Sequence, residues 1–173
     1  MSLEDDIFGW GDKPDRINSK KKGDKNELEV SKWLEKWTGV PFTRVPSSGG
    51  LRWKNTANVC GDVVCEDEDF NFPFSVETKH LKNIRFSKKL RVNSKIRSIY
   101  DQCKIDADRA NRMPMLILRE NGMPKGTYII YFDFKLKSIE CISKGSFEGF
   151  NLYGYESSTI LSMVEFCSLT NDA

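Results

Sequence analysis

A chain of 173 residues, 39% hydrophobic and 30% charged, suits one packed core and contains no stretch that reads as a linker between two. No apolar run approaches the roughly 18 residues of a membrane helix, and Met1 to Asp6 is too acidic and polar for a signal peptide, which predicts a cytoplasmic protein with no membrane partner. The net charge of +2 barely argues for a polyanionic partner, so the distribution of charge carries more than its sum.

Residues 1–22 lack periodicity, mix acidic and basic clusters with Gly and Pro, and read as a flexible arm preceding a single domain over 23–173. From Asp24 the pattern turns helical. Val30, Trp33, Leu34 and Trp37 form an i, i+3, i+4, i+7 stripe, stopped by Gly39 and Pro41. Glu27 falls on that inward stripe three residues before Val30, an unexpected place for a carboxylate. Pro41 to Val45 reads as a short strand, Ser47 to Gly50 as a turn, and Arg52-Trp53-Lys54 sets an aromatic ring between two cations. Trp53 suits either stacking on a base or a place in a core or dimer interface.

Two apolar runs, Val63 to Cys65 and Phe72 to Val76, flank the polar turn Glu66 to Asn71 and predict an antiparallel hairpin. The chain from Lys79 to Arg97 then carries Lys82, Arg85, Lys88, Lys89, Arg91, Lys95 and Arg97 with no carboxylate among them. This is the composition of a phosphate-binding surface or of a solvated loop.

Ser94 to Arg112 predicts a second helix with Ile96, Ile99, Cys103, Ala107 and Ala110 on one face and Gln102, Asp106 and Arg109 displaced from it. Pro114 is expected to end that helix, followed by strands at Met115 to Leu118 and Thr127 to Phe132. Beyond them lies a C-terminal extension from about residue 133: a short helix over Asp133 to Ile142, a loop over Gly145 to Tyr155 and a last helix over Ser157 to Cys167. The order predicts an α/β domain, a central mixed β-sheet flanked by helices.

Five cysteines without C-x-x-C spacing argue against a disulfide framework or a structural zinc site and read as reduced thiols. With His80 the single histidine, Ser/His/Asp chemistry would have to run through that one residue.

Carboxylates are the better candidates. In a strand, Glu77 and Lys79 share the face opposite Phe74, Val76 and Thr78. If the preceding strand pairs with this one, Asp62 comes within reach of Glu77. Two carboxylates held close are relieved by a hard cation such as Mg²⁺ or Mn²⁺, and Lys79 would stand beside the water such a cation binds. A D…E-x-K match is loose, and by itself it better describes a Gly-Asp turn beside an exposed charged strand.

The series of elements narrows the choice. A helix with an inward Glu (KGDKNELEVSKWL), a strand, a Ser-Gly turn (RVPSSGG), a Gly-Asp strand (GDVV) and an E-x-K strand (VETK) resembles the PD-(D/E)XK nucleases, whose core is restriction-endonuclease-like. The resemblance is closest to the Holliday junction resolvases of archaea and some phages, and extends through YDQCKIDADRANRMPMLIL to about Phe132. It implies a metal-dependent DNA endonuclease using Mg²⁺ or Mn²⁺, a homodimer that cuts four-way junctions.

The resemblance makes Asp62 and Glu77 metal ligands, Lys79 the catalytic lysine and Glu27 the first-helix carboxylate of the metal site. Ser48 (or Ser47) would bring a hydroxyl to the scissile region, and Gln102 would be a supporting polar residue. Arg52, Lys54, Lys82, Arg85, Lys88, Lys89 and Arg91 are the expected DNA contacts. Gly61 stands where the motif has Pro, a replacement expected to be harmless if only the start of the strand matters. The alternatives are a restriction-like or repair nuclease acting on linear duplex, a non-cleaving nucleic-acid-binding module of the same fold, and an unrelated α/β interaction protein.

Overall fold

A computed structural model describes residues 19–46, 60–82, 92–137 and 139–161. Helix α1 (Ser19–Thr38) begins five residues ahead of Asp24, inside the stretch expected to be a flexible arm. Its first turns, Ser-Lys-Lys-Lys-Gly-Asp-Lys, contain no proline and mostly good helix formers, which is enough to continue the helix backward once the stripe is docked. Val30, Trp33 and Leu34 are buried as the stripe requires, and Asn26 and Ser31 are buried with them. Gly39, at φ +79°, ends the helix by donating its N–H to the Glu35 carbonyl at 2.8 Å.

Seven strands form one mixed sheet: β1 (Phe42–Arg44), β2 (Val63–Cys65), β3 (Phe74–Leu81), β4 (Met113–Glu120), β5 (Ile129–Phe132), β6 (Ser143–Phe147) and β7 (Phe150–Glu156). Their spatial order is β1-β2-β3-β4-β5-β7-β6. Every neighbouring pair is antiparallel except β3 and β4, which run parallel and are joined through helix α2 (Ser94–Arg109). Helix α3 (Ser157–Leu161) follows β7 directly.

The sheet separates two cores. On one face Val30, Trp33 and Leu34 of α1 pack on Val63, Phe74, Val76, Met115 and Ile117. On the other Ile96, Tyr100 and Cys103 of α2 pack on Leu116, Leu118, Ile129 and Tyr131. The alternation of β3 and β4 therefore decides which helix each side chain meets.

Four expectations for the middle and end of the chain need correcting. Helix α2 ends at Arg109 rather than at Arg112, with Ala110 as its cap and Asn111 in the left-handed region at φ 52°. Pro114 consequently does not stop the helix; it lies inside β4, opposite Ser75 in the parallel register. No helix forms in the described part of 133–142. There Leu136 is buried and its N–H donates to the Tyr155 hydroxyl at 2.8 Å, a long-range anchor that holds the segment in an irregular path.

The expected loop over Gly145 to Tyr155 is the β6–β7 hairpin, turning at Gly149 with φ +91°. Gly145 and Gly154 read as loop residues in the sequence but are strand residues packed too closely for a side chain. A Cβ would stand 2.5 Å from Val92 Cβ at the first and 2.7 Å from Tyr131 Cε1 at the second. Among the described residues, no helix is long and apolar enough to cross a membrane. Of the four cysteines described, all free, only Cys103 is fully buried.

Candidate active site

Asp62 precedes β2 and is held at three points. Its N–H donates to the Val76 carbonyl at 2.7 Å, its carbonyl accepts from Val45 N–H at 2.9 Å, and its Oδ2 accepts from Thr78 N–H at 2.9 Å. The first contact dictates the residue before it. Gly61 adopts φ +88°, and a Cβ there would lie 2.4 Å from the Val76 carbonyl oxygen. Proline, whose ring fixes φ near −65°, has no access to this backbone. The glycine is thus a requirement of the close β2–β3 approach and not a neutral replacement for the motif's Pro.

Val63 pairs with Val76 across the antiparallel hairpin, and one step along that register brings Asp62 opposite Glu77. Lys79 Nζ lies 2.5 Å from Glu77 Oε1 and 3.6 Å from Asp62 Oδ2, so one ammonium links the hairpin's two carboxylates. The Glu77 side chain is 14% exposed and that of Lys79 is 42% exposed, which places the carboxylate in the wall of the sheet and the ammonium at its surface.

Helix α1 supplies the third carboxylate. Arg44 on β1 reaches up to it, with Nη1 3.2 Å from Asp24 Oδ1 and Nε 3.8 Å from Glu27 Oε2. Glu27 Oε2 is buried without a hydrogen-bond donor among the described residues. Beside it Asn26, 2% exposed, donates Nδ2 to Thr78 Oγ1 at 2.7 Å and so ties α1 to the residue between Glu77 and Lys79. The Asn26–Thr78–Asp62 sequence of contacts couples the helix to both strands.

Electrostatics follow this crowding. Burial first, and then the negative charge of Asp62, push the Glu77 carboxyl above its usual range, while Lys79 opposes the rise. Burial followed by the charge of Asp62 raises Glu27 in the same way, with Arg44 acting against it. For Lys79, burial alone would weaken the ammonium, but Asp62 and Glu77 together outweigh it and raise its pKa. In this arrangement the two carboxylates favour the ammonium form of Lys79, which serves as a hydrogen-bond donor to them.

Among the described residues, no three acidic, histidine or cysteine side chains stand close enough together to hold a metal as they are. The donor set nonetheless fits a hard cation. It offers carboxylate oxygens of Glu27, Asp62 and Glu77, an orphaned oxygen on Glu27, and mutual repulsion that Lys79 only partly relieves.

The other expected residues divide into two groups. Gln102 is exposed on α2 and donates Nε2 to Asp106 Oδ2 at 3.2 Å, touching none of the three carboxylates. Asp106 itself adds to the negative field at Glu77. Lys82 is exposed just past β3. Ser47, Ser48, Arg52, Trp53, Lys54, Arg85, Lys88, Lys89 and Arg91 lie outside the described residues.

Sequence reasoning missed Asn26, Arg44, Thr78 and Asp106. Only Asn26 carried a signal, as it sits four residues before Val30 and hence on the inward stripe of α1. Arg44 and Thr78 act through partners distant in sequence.

No curated protein and no solved structure matches the chain. Residues 18–144, by contrast, match the model of a family described as "Phage putative PDDEXK endonuclease", a span containing α1, the β2–β3 hairpin, α2 and every residue of the carboxylate–lysine cluster. The chain belongs to this phage PD-(D/E)XK endonuclease family.

Proposed function

We propose that this protein is a divalent-metal-dependent DNA endonuclease that hydrolyses phosphodiester bonds, with a four-way junction as its preferred substrate. The observation that supports it most is the Lys79 ammonium seated between Asp62, just before β2, and Glu77, within β3. Asp62 and Glu77, with Glu27 from α1, would hold Mg²⁺ or Mn²⁺. When bound, such a cation supplies Lewis-acid activation of water and neutralisation of phosphate charge.

The chain's own residues divide the remaining work. The three backbone contacts on Asp62 fix its carboxylate without relying on the ligand. Lys79, an ammonium seated beside both carboxylates, would present N–H donors to an attacking water or to the negative charge that grows on a phosphate under attack. Ser48 would bring a hydroxyl to the scissile region, and Gln102 would steady Asp106 beside Glu77. Arg52, Lys54, Lys82, Arg85, Lys88, Lys89 and Arg91 would position the backbone by contacts to phosphate.

The junction preference and the homodimer that would cut two strands symmetrically rest on the resemblance of KGDKNELEVSKWL and RVPSSGG to the resolvases. The test is cleavage of a labelled synthetic four-way junction beside linear duplex and single strand, in Mg²⁺ or EDTA, with Asp62→Asn as control. Paired nicks in the junction alone, abolished by EDTA and by the substitution, are the expected result. Cutting of every duplex would refute the junction preference, and binding without cutting in both Mg²⁺ and Mn²⁺ would refute the nuclease.

A further inference from the structure

On the α1 face of β3, opposite the face that carries Glu77 and Lys79, lies a cleft of about 410 Å³. Its lining includes the cationic side chains of Lys21, Lys22, Lys25, Arg119 and Lys125, together with His80. Among the described residues a single carboxylate, Glu29, lines it with them, and that carboxylate already pairs with Arg119 at 2.7 Å. Lys22 donates to the neutral Asn121 at 2.7 Å, so this contact leaves its charge unneutralised.

The cations of this cleft are crowded and partly buried, which opposes their charged forms. Burial, then the charges of Lys82 and Arg119, lower the Lys22 pKa; burial, then Lys22 and Arg119, lower that of His80. The first turn of α1 also contains no acidic residue, although the positive end of a helix dipole favours Asp or Glu there. The fold thus places cations where its own stability would prefer anions.

The cleft shares a wall with the site. Asn26 lines it and precedes Glu27 in the chain; His80 lines it and follows Lys79. Asn26 also bonds to Thr78, whose N–H holds Asp62.

We infer that this cleft is a second DNA-contact surface, which grips the phosphates of the substrate strand on the far side of β3 from Glu77. The inference rests on the proposed nuclease function and adds to it where the flanking backbone runs. Because Lys21, Lys25 and Lys125 are exposed ammonium groups on flexible stems, the contact is to phosphate and independent of base sequence.

The experiment compares wild type with Lys21→Gln/Lys25→Gln/Lys125→Gln and with a control triple, Lys32→Gln/Lys36→Gln/Lys135→Gln, drawn from exposed lysines elsewhere. Binding of a labelled four-way junction and of a duplex is followed by anisotropy in EDTA over a series of salt concentrations. The cleft triple is expected to bind at least about tenfold more weakly and to lose about 2–3 from the slope of log affinity against log salt, at about 0.9 per phosphate contact. The control triple should stay within about twofold of wild type, and the cleavage defect of the cleft triple in Mg²⁺ should fall on KM. Wild-type affinity and slope in the cleft triple, with wild type binding and cutting DNA, would overturn the cleft and leave the nuclease standing. Failure of wild type to bind or cut DNA would overturn both.

Discussion

Lys79 Nζ lies 2.5 Å from Glu77 Oε1, two residues before it on the same strand and face. The pair holds a cation and an anion together in the wall of the sheet, and Asp62 adds a second anion at 3.6 Å. Lys79→Met removes the only ammonium that the described residues place between these carboxylates. Cleavage should fall by about 10²–10⁴-fold, the usual worth of a positioned donor or acid. Glu77, stripped of its partner, should protonate more readily still, so the variant's melting temperature in EDTA should drop more at pH 8 than at pH 5. An equal drop at both values would show that Lys79 does not offset the charge of Glu77.

Glu27→Gln should separate stability from activity. The folded-state pKa of Glu27 is raised above the usual 4.5, so the fold binds its proton more tightly than the unfolded chain does. Its favourable contribution is present below that usual value and is lost as pH rises through the folded value. A neutral amide escapes this loss. At pH 7 in EDTA the variant should melt at a higher temperature than wild type. Cleavage should nevertheless fall steeply, and the variant's advantage should vanish near pH 4. Scanning calorimetry across pH checks the first point and a nicking assay the second.

Addition of Mg²⁺ or Mn²⁺ should raise the melting temperature of wild type at pH 7, because a bound cation relieves the repulsion among Glu27, Asp62 and Glu77. At a hundredfold excess over the dissociation constant the gain is about 2.7 kcal/mol. Asp62→Asn should abolish most of it. An identical metal response in wild type and variant would place the metal elsewhere.

Gly61→Ala should destabilise the protein by about 2 kcal/mol or more, through the positive φ and the 2.4 Å approach of the new Cβ to the Val76 carbonyl. The hydrogen bond from Asp62 N–H to that carbonyl would be strained with it, so activity should fall even at temperatures where the variant is folded. Denaturant unfolding and cleavage at 20–25 °C check both; a variant as stable as wild type would show that the hairpin tolerates a wider separation.

The local code of the chain determined the elements around the site. The stripe Val30-Trp33-Leu34 specified which face of α1 turns inward, and the alternation through Phe74, Val76 and Thr78 against Glu77 and Lys79 specified which face of β3 carries charge. Both are periodicities of one segment, so no partner is needed to read them. The spacing of charges likewise brought Asp62, Glu77 and Lys79 together on paper, since hairpin partners are close in sequence.

Tertiary structure decided what depended on distant partners. Arg44 meets α1 carboxylates, Asn26 meets Thr78, and Leu136 is caught by Tyr155, each across a separation that no local pattern encodes. Gly145 and Gly154 looked like breakers because their signal is an absent side chain. Only the neighbouring Val92 and Tyr131 reveal that the absence is what lets the strands pack. The basic cleft has the same origin: Lys21, Lys25, Arg119 and Lys125 lie on segments far apart in the chain, and the parallel pairing of β3 with β4 beneath α1 gathers them into one field.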